Sequence, residues 1–246
     1  MSSWPSGYAL LELQEVDSTN EEARRRAAAG VAGPLWIIAE RQTQGRGRRG
    51  REWISPPGNL AATLLIRPNR PAAECAQLSF AAALAVTDML ARHAPLAEVR
   101  LKWPNDVLAA RAKIAGILLE SESGADGTAA WLAIGIGVNL AAFPTDTDLS
   151  ATSLKALGVP PPPPKDALLD LAEAFAKWYE AWRTGGFGPI REAWLSRAQG
   201  LGQRIRVRVA NEEIWGVFRD IDDTGALVLG MPGGVTRTVS AGEVFL

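Results

Sequence analysis

Seven consecutive residues, Gly45-Arg46-Gly47-Arg48-Arg49-Gly50-Arg51, combine four guanidinium groups with three glycines. Such a run can turn backbone N–H groups around an anion while guanidinium forks bind phosphate oxygens in pairs, the glycines allowing close approach. A solvated basic loop has the same composition, so neighbouring residues must decide between them. A Walker phosphate loop would end in Gly-Lys-Ser/Thr and open a helix; Arg51-Glu52-Trp53 follows here, so that assignment fails. The Trp53 indole can stack on a purine or cover a core edge. Farther on, Lys102-Trp103-Pro104-Asn105-Asp106 brings a cation, an amide and a carboxylate to the end of a strand, as a cleft-directed cluster or as a plain turn. Lys113 opens the run KIAGILLE, in which Gly116 suggests a close backbone approach. Gly135-Ile136-Gly137-Val138-Asn139 sets two glycines and an amide in a buried run, where a flat ligand can press on backbone or a bulge can form.

The basic character is local. Residues 41–51 carry five positive charges and no acid, while the net charge is −1, so the remainder sums to −6. A domain gripping a nucleic-acid backbone usually has a basic face and a high pI, whereas this pI is near 6.0. A pocket for one small anion fits better. The single cysteine, Cys75, excludes an internal disulfide and is expected to pack as a small apolar residue. One histidine, His93, leaves too few soft ligands for zinc, is placed at a helix end, and gives a serine triad little support. The N-terminal stretch lacks a basic region and carries Glu12 and Glu15, unlike a signal peptide. The apolar stretch 131–143 is too short for a membrane span and is interrupted by Asn139, so a reducing cytoplasm is expected.

Elements able to hold these groups are readable around them. Asp17-Ser18-Thr19-Asn20 offers N-caps before an Ala- and Arg-rich helix running to Ala29, with Gly30 as the stop. Residues 35–40 and 59–66 read as buried strands, which makes the arginine run a loop between them. Residues 74–92 show the spacing of a one-faced helix, and 99–103, 114–120 and 131–140 read as three more strands. Their connections look too short for crossover helices, so a mixed or antiparallel sheet with flanking helices is expected, an α+β fold. Five consecutive prolines, 160–164, form a stiff spacer into a helix whose Leu168, Leu171, Phe175, Trp178 and Trp182 share a face and which ends at Gly185-Gly186. After Gly200, four short β-branched runs mark a small all-β module, marginal alone and therefore docked on the first unit. The boundary is set at domains 1–198 and 199–246.

The order of these motifs, Asp17-Ser-Thr-Asn, then residues 40–51, then Lys102-Trp-Pro-Asn-Asp, then Lys113-Ile-Ala-Gly, then Gly135-Ile-Gly-Val-Asn, closely resembles the biotin protein ligases. The resemblance implies that family's class II aminoacyl-tRNA synthetase-like catalytic fold and an SH3-like β-barrel C-terminal domain. It implies biotin and ATP as substrates with Mg²⁺, a biotinyl-5′-AMP intermediate, and a biotin carboxyl carrier protein as acceptor. By the same resemblance Ser18, Thr19, Asn20 and Gln42 meet the biotin head group, whose ureido ring suits hydroxyls and amides. The loop of Gly45, Arg46, Gly47, Arg48, Arg49 and Arg51 closes over biotin and the adenylate. Arg46 and Arg48 lead there, while Arg49 and Arg51 chiefly order the closed loop. Lys113 reaches the carboxylate and α-phosphate, and Lys102 the ATP phosphates. Trp53 stacks on adenine, with Asn105 and Asn139 at its edges; Gly116 and Gly135 lie against the ligands. Asp106 orders phosphate, metal or a loop arginine, and Arg48, Lys113 and Asp106 form the catalytic set. No protein metal site is implied. With sixteen residues before Asp17, the form expected is the ligase without the N-terminal helix-turn-helix domain, so DNA binding is not carried over; monomer and homodimer both remain open.

Two other readings share parts of this pattern. A lipoate ligase or transferase uses the same fold and adenylate chemistry but would lack the arginine-rich loop in this form. A non-enzymatic nucleic-acid-binding protein would use residues 45–51 as its arm and the β module as platform, against which stand the near-neutral charge and the few aromatics in the basic segment.

Overall fold

The computed structural model describes residues 3–145, 150–210 and 212–245. The elements run β1 (Ala9–Val16), α1 (Thr19–Ala28), β2 (Leu35–Gln42), β3 (Leu60–Ile66), α2 (Ala72–Cys75), α3 (Leu78–His93), β4 (Val99–Lys102), β5 (Asp106–Ala109), β6 (Ala112–Ser123) and β7 (Ala129–Val138). After the prolines come α4 (Pro164–Gly185) and α5 (Phe187–Leu195), then β8 (Arg204–Val209), β9 (Glu212–Ile221), β10 (Leu227–Gly230), β11 (Thr236–Val239) and β12 (Glu243–Phe245). The first seven strands form one sheet in the order β1-β2-β3-β7-β6-β5-β4, and the last five a second sheet in the order β11-β10-β9-β8-β12. Helix α1 carries the chain across so that β1 and β2 pair parallel; the other neighbours in the large sheet are antiparallel, giving the expected mixed sheet.

Strand alternation sorts the large sheet into two faces. Trp36, Ile38, Leu64, Ile134 and Ile136 face α3 and α4, forming the main core. Leu35, Ile37, Leu65 and Ala133 face the other way and pack against Ala23 and Ala27 of α1. That second face is covered by α1 at one end only, and the remainder carries the candidate site. The segment 72–93 is apolar enough by composition to cross a membrane, yet eleven residues of α3 are buried in the core, so it is a core helix here. His93 ends α3 and meets Asp170 of α4 at 2.8 Å, and Cys75 is buried. The helix after the prolines begins at Pro164, a position that tolerates proline because its N–H would be unpaired anyway.

Four elements escape the sequence reading. Strand β1 is an edge strand, half-exposed, with Glu12 and Glu15 inside it; β5 and β12 are four and three residues long; α5 starts directly after the Gly185-Gly186 stop. None of them has the length or periodicity that marks an element locally.

The C-terminal sheet is docked on the first unit by apolar and polar contacts. The Phe218 ring lies 6.5 Å from that of Trp194, Trp103 Nε1 donates to Gly225 O at 3.0 Å, and Gln77 Nε2 donates to Asp223 O at 2.9 Å. Arg191 pairs with Asp220 and also donates to Ile221 O. Phe218 is 1% exposed. Phe218→Ala is therefore expected to lower stability by about 3–5 kcal/mol, read as a lower urea midpoint; an unchanged midpoint would show that the docking does not depend on this ring.

Candidate active site

The uncovered part of the sheet face is floored by glycine. Gly116 of β6 stands opposite Gly137 of β7, and Gly135 opposite Thr63 of β3. A Cβ at Gly137 would lie 2.3 Å from the Trp53 indole, and one at Gly135 would lie 2.3 Å from Asn20 Oδ1. The glycines thus seat two protein side chains directly on backbone. The flat partner pressing on this part of the sheet is the indole of Trp53 itself, which answers the choice between ligand and bulge left by the GIGVN run.

At the α1 end the polar groups form a closed network. Thr19 donates from its N–H and hydroxyl to Gln42 Oε1 at 2.8 and 3.0 Å. Thr63 donates to Asn20 Oδ1 at 2.7 Å, its oxygen lying 2.8 Å from that of Thr19, and Asn20 Nδ2 donates to Glu120 Oε2 at 2.8 Å. Thr19, Asn20 and Thr63 are all buried, so their orientations are locked by these bonds, and Ser18 is buried beside them.

The arginine run is folded rather than trailing. Arg46 bridges to Glu52, Gly47 N donates to Arg51 O at 2.7 Å, and Trp53 N donates to Gly45 O at 2.9 Å. Arg49 takes a left-handed conformation (φ 58°) at the tip. Each arginine faces a different direction: Arg46 meets Glu21 at 3.0 Å and Glu120 at 3.4 Å, Arg48 donates to Asn105 Oδ1 at 3.2 Å, and Arg51 pairs with Glu243 of β12 at 2.9 Å. Burial, with help from Arg49, lowers the pKa of Arg48.

Opposite the loop, the β4–β5 turn holds Lys102 and Asp106 as a cross-strand pair around a cis Trp103–Pro104 peptide. Asp106 meets Lys113 Nζ at 2.5 Å, and Lys113 Nζ also lies 5.6 Å from the Trp53 ring centre. Lys102 is 5% exposed; burial first, and Lys113 beside it, push its pKa below the usual lysine range. Asn105 Nδ2 donates to Ile117 O at 2.6 Å. Asn139 is buried, donates from Nδ2 to Thr152 O at 3.1 Å, and keeps an Oδ1 that has no protein donor.

One cavity of about 480 Å³ collects these groups. Its wall includes Ser18, Thr19, Asn20, Gln42, Arg46, Gly47, Arg48, Arg49, Arg51, Trp53, Lys102, Asn105, Asp106, Lys113, Gly116, Gly135 and Asn139. Gly45 is not part of that wall: it is buried behind it, where a Cβ would strike Trp53 O at 2.4 Å, so it serves packing of the loop base. Three contributors escape the sequence reading. Thr63 beneath the floor has a local signal, a lone hydroxyl in the apolar run LAATLLI; Glu120 and Glu243 have none, being carboxylates on exposed-looking strand ends.

The arrangement is a polar recess joined to a chamber in which Arg48, Lys102 and Lys113, with Arg49 and Arg51 also on the wall, outnumber the carboxylates of Asp106 and Glu243. Such a chamber stabilises negative charge developing on phosphate, because fixed cations in low dielectric need no reorganisation. Holding Lys102 charged there costs stability. Its folded pKa is lowered, so the unfolded chain binds the proton more tightly and stability rises with pH up to the ordinary value of 10.5. Lys102→Met is expected to have a higher urea midpoint than wild type at pH 7, with the gap closing toward pH 10.5; a lower midpoint at pH 7 would contradict this.

Comparison with known proteins agrees with that chemistry. Residues 12–139 match the Biotin/lipoate A/B protein ligase family, and residues 200–246 the Biotin protein ligase C terminal domain. The chain is 46% identical over 244 residues to the biotin--[acetyl-CoA-carboxylase] ligase of Paracoccus denitrificans, covering 95% of this chain and 98% of that one. It is 36% identical to the ligase of the same name from Mycobacterium tuberculosis, covering 97% and 90%. Among solved structures, the biotin protein ligase from Aquifex aeolicus in complex with biotin and ATP superposes with a TM-score of 0.81 at 27% identity, covering 96% of this chain and 97% of that one. This chain belongs to the biotin/lipoate protein ligase family.

Proposed function

We propose that the chain attaches biotin, at the expense of ATP, to a lysine of the biotin carboxyl carrier protein of an acetyl-CoA carboxylase. The observation that carries this reading is the cavity in which a hydroxyl and amide recess opens into a chamber lined by the buried Lys102 and the half-buried Arg48 and Lys113. A ureido ring presents two N–H donors and one carbonyl, groups that Ser18 and the network of Thr19, Asn20 and Gln42 can pair, and Lys113 on the same cavity wall is the cation available to the carboxylate of biotin.

In the first step the biotin carboxylate oxygen bonds to the α-phosphorus of ATP and the bond to pyrophosphate breaks. Lys113, held by Asp106, and the half-buried Arg48 stabilise the charge on the crowded phosphorus. Lys102 takes the leaving phosphates. Asn139 lines the cavity on the side proposed for the base, while Trp53 provides a flat wall and Asn105, bonded to Arg48, links the base site to the loop. In the second step the neutral amine of the acceptor lysine attacks the acyl carbon, AMP leaves, and the amine loses a proton. No protein nucleophile is needed. The folded loop shields the mixed anhydride from water. Mg²⁺ fits this donor set through the nucleotide: among the described residues there is no cluster of three His, Cys, Asp or Glu able to hold an ion, so ATP oxygens would carry it. It supplies charge neutralisation on the phosphates.

Monomer and homodimer are both compatible with this reaction, and nothing in it calls on DNA or a membrane. A cytoplasmic setting with free ATP suits it. We set the domain boundary at 198/199; Gln199 N donates to Leu101 O of β4, which ties the start of the second unit to the first.

Incubation with ATP, Mg²⁺, biotin and a carrier domain, followed by mass spectrometry, is expected to add one biotin to the carrier. Addition of lipoate instead, with none of biotin, would overturn the proposal. Lys113→Ala is expected to reduce biotin-dependent ATP–pyrophosphate exchange about a hundredfold or more; undiminished exchange would remove it from the reaction. Arg48→Ala is expected to keep measurable exchange but release biotinyl-AMP into solution, seen by chromatography of the quenched reaction. Full retention of the intermediate would remove Arg48 from the lid.

A further inference from the structure

The outward face of the C-terminal sheet carries a chain of cations and rings that the adenylate chemistry does not use. Along β8 the side chains of Ile205 and Val207 are buried, so Arg204, Arg206 and Arg208 project from the opposite face. Arg204 and Arg206 lie 5.3 and 6.0 Å from the Trp215 ring centre, and Arg206 and Arg208 lie 4.5 and 4.7 Å from that of Phe245. Trp215 is 51% exposed. Glu213 meets Arg206 at 3.1 Å and Arg208 at 3.6 Å, and Glu243 stands opposite Arg208 but is paired with Arg51, so two carboxylates stand among four guanidiniums here.

The row runs directly into the rim of the cavity. Arg208 is paired in register with Glu243, and Glu243 both lines the cavity and holds Arg51 of the loop. Same-face residues on a strand are about 7 Å apart, so the row extends about 14 Å outward from Arg208 to Arg204.

We propose that this cation–aromatic row docks the acceptor protein, through a carboxylate-bearing surface beside its target lysine. The inference rests on the biotin-transfer reading above. A lysine side chain reaches only about 6 Å beyond its backbone, given bonds of about 1.5 Å, so the acceptor must cover the cavity mouth to deliver its amine. Even a carrier domain of about 80 residues has a radius of gyration of about 12 Å, so an acceptor seated on the mouth overlaps the row. Excess positive charge there selects an acidic partner and speeds its arrival, and the pre-stacked guanidiniums lose little freedom on binding. Arg208, opposite Glu243, and Arg206, opposite Phe245, stand nearest the rim and so also orient the acceptor.

The test uses the full chain with ATP, Mg²⁺, biotin and a biotin carboxyl carrier domain of acetyl-CoA carboxylase. Arg204→Glu/Arg206→Glu is expected to raise KM for the carrier about tenfold, leaving kcat and biotin-dependent ATP–pyrophosphate exchange within about twofold. Wild-type KM for the carrier is expected to climb with ionic strength from about 0.05 to 0.3 M, and that of the variant to climb less. Trp215→Ser, a change at one exposed side chain, is expected to raise KM in the same direction; it decides the matter should charge reversal abolish exchange. Intact exchange with unchanged KM for the carrier in these variants overturns the docking assignment alone. Absence of biotin-dependent exchange in the wild type overturns the biotin reading, and the docking assignment falls with it. Retardation of a single-stranded oligonucleotide by the wild type, lost in the variant while KM for the carrier stays unchanged, would give the face to nucleic acid and also overturn the assignment.

Discussion

A sheet floor without side chains at Gly116, Gly135 and Gly137 is the constraint from which the rest of the site follows. Because Gly137 lacks a Cβ, Trp53 lies against backbone, and because Trp53 is fixed, the loop that precedes it has a fixed root. Because Gly135 lacks a Cβ, Asn20 reaches across the sheet to Glu120 and Thr63. Any side chain at these places would lift the indole or expel the amide, since a contact of 2.3 Å has no neighbouring low-energy arrangement. The two ends of the cavity therefore share one support, and helix α1 and the arginine loop are set against each other by it.

The electrostatics are built in the opposite sense to stability. Arg48 and Lys102 are cations whose pKa values burial lowers, and Asp106 and Glu243 compensate only in part. In the reaction proposed, an incoming phosphate would complete the pairing, so ligand binding would release a cost already present in the folded chain. The C-terminal module has a share in this arrangement. Through Glu243 it holds Arg51, and Arg51 in turn fixes the far side of the loop whose near side is fixed by Trp53. Burial of Phe218 against Trp194 and the bond from Trp103 to Gly225 make the module part of the same solid body as the β4–β5 turn. Loop, turn and module thus close one chamber from three separate stretches of chain.

Several of these features were legible without any structure. The basic run between two strands, the cluster from Lys102 to Asp106, Lys113 at a strand start and the glycine pair before Asn139 are local patterns, each set by residue type and immediate spacing. Strands β2, β3, β6 and β7 were legible for the same reason, their apolar runs being long enough to declare a period. Strands β1 and β12 were not, because an edge strand owes its existence to a partner elsewhere along the chain, and β5, four residues long, is too short to declare a period. Gly45 illustrates the same limit from within a motif: its type marks it as special, but whether it touches ligand or packs the loop base depends on where Trp53 O lies.

Sequence alone determined which chemistry is available: cations without a nucleophile, amides and hydroxyls in the order of a biotin ligase, and an acidic body that leaves the positive charge local. Only the tertiary structure decided which groups are paired, which are desolvated and which face the same space. Asn139 Oδ1 is unpaired, Lys102 is charged at a cost, and Glu243 is the distant anchor of Arg51. The division has one physical cause. Residue type and local periodicity are properties of neighbours in the chain, whereas desolvation and Coulomb energy depend on distances between segments as much as 192 residues apart, and those exist only once the chain has folded.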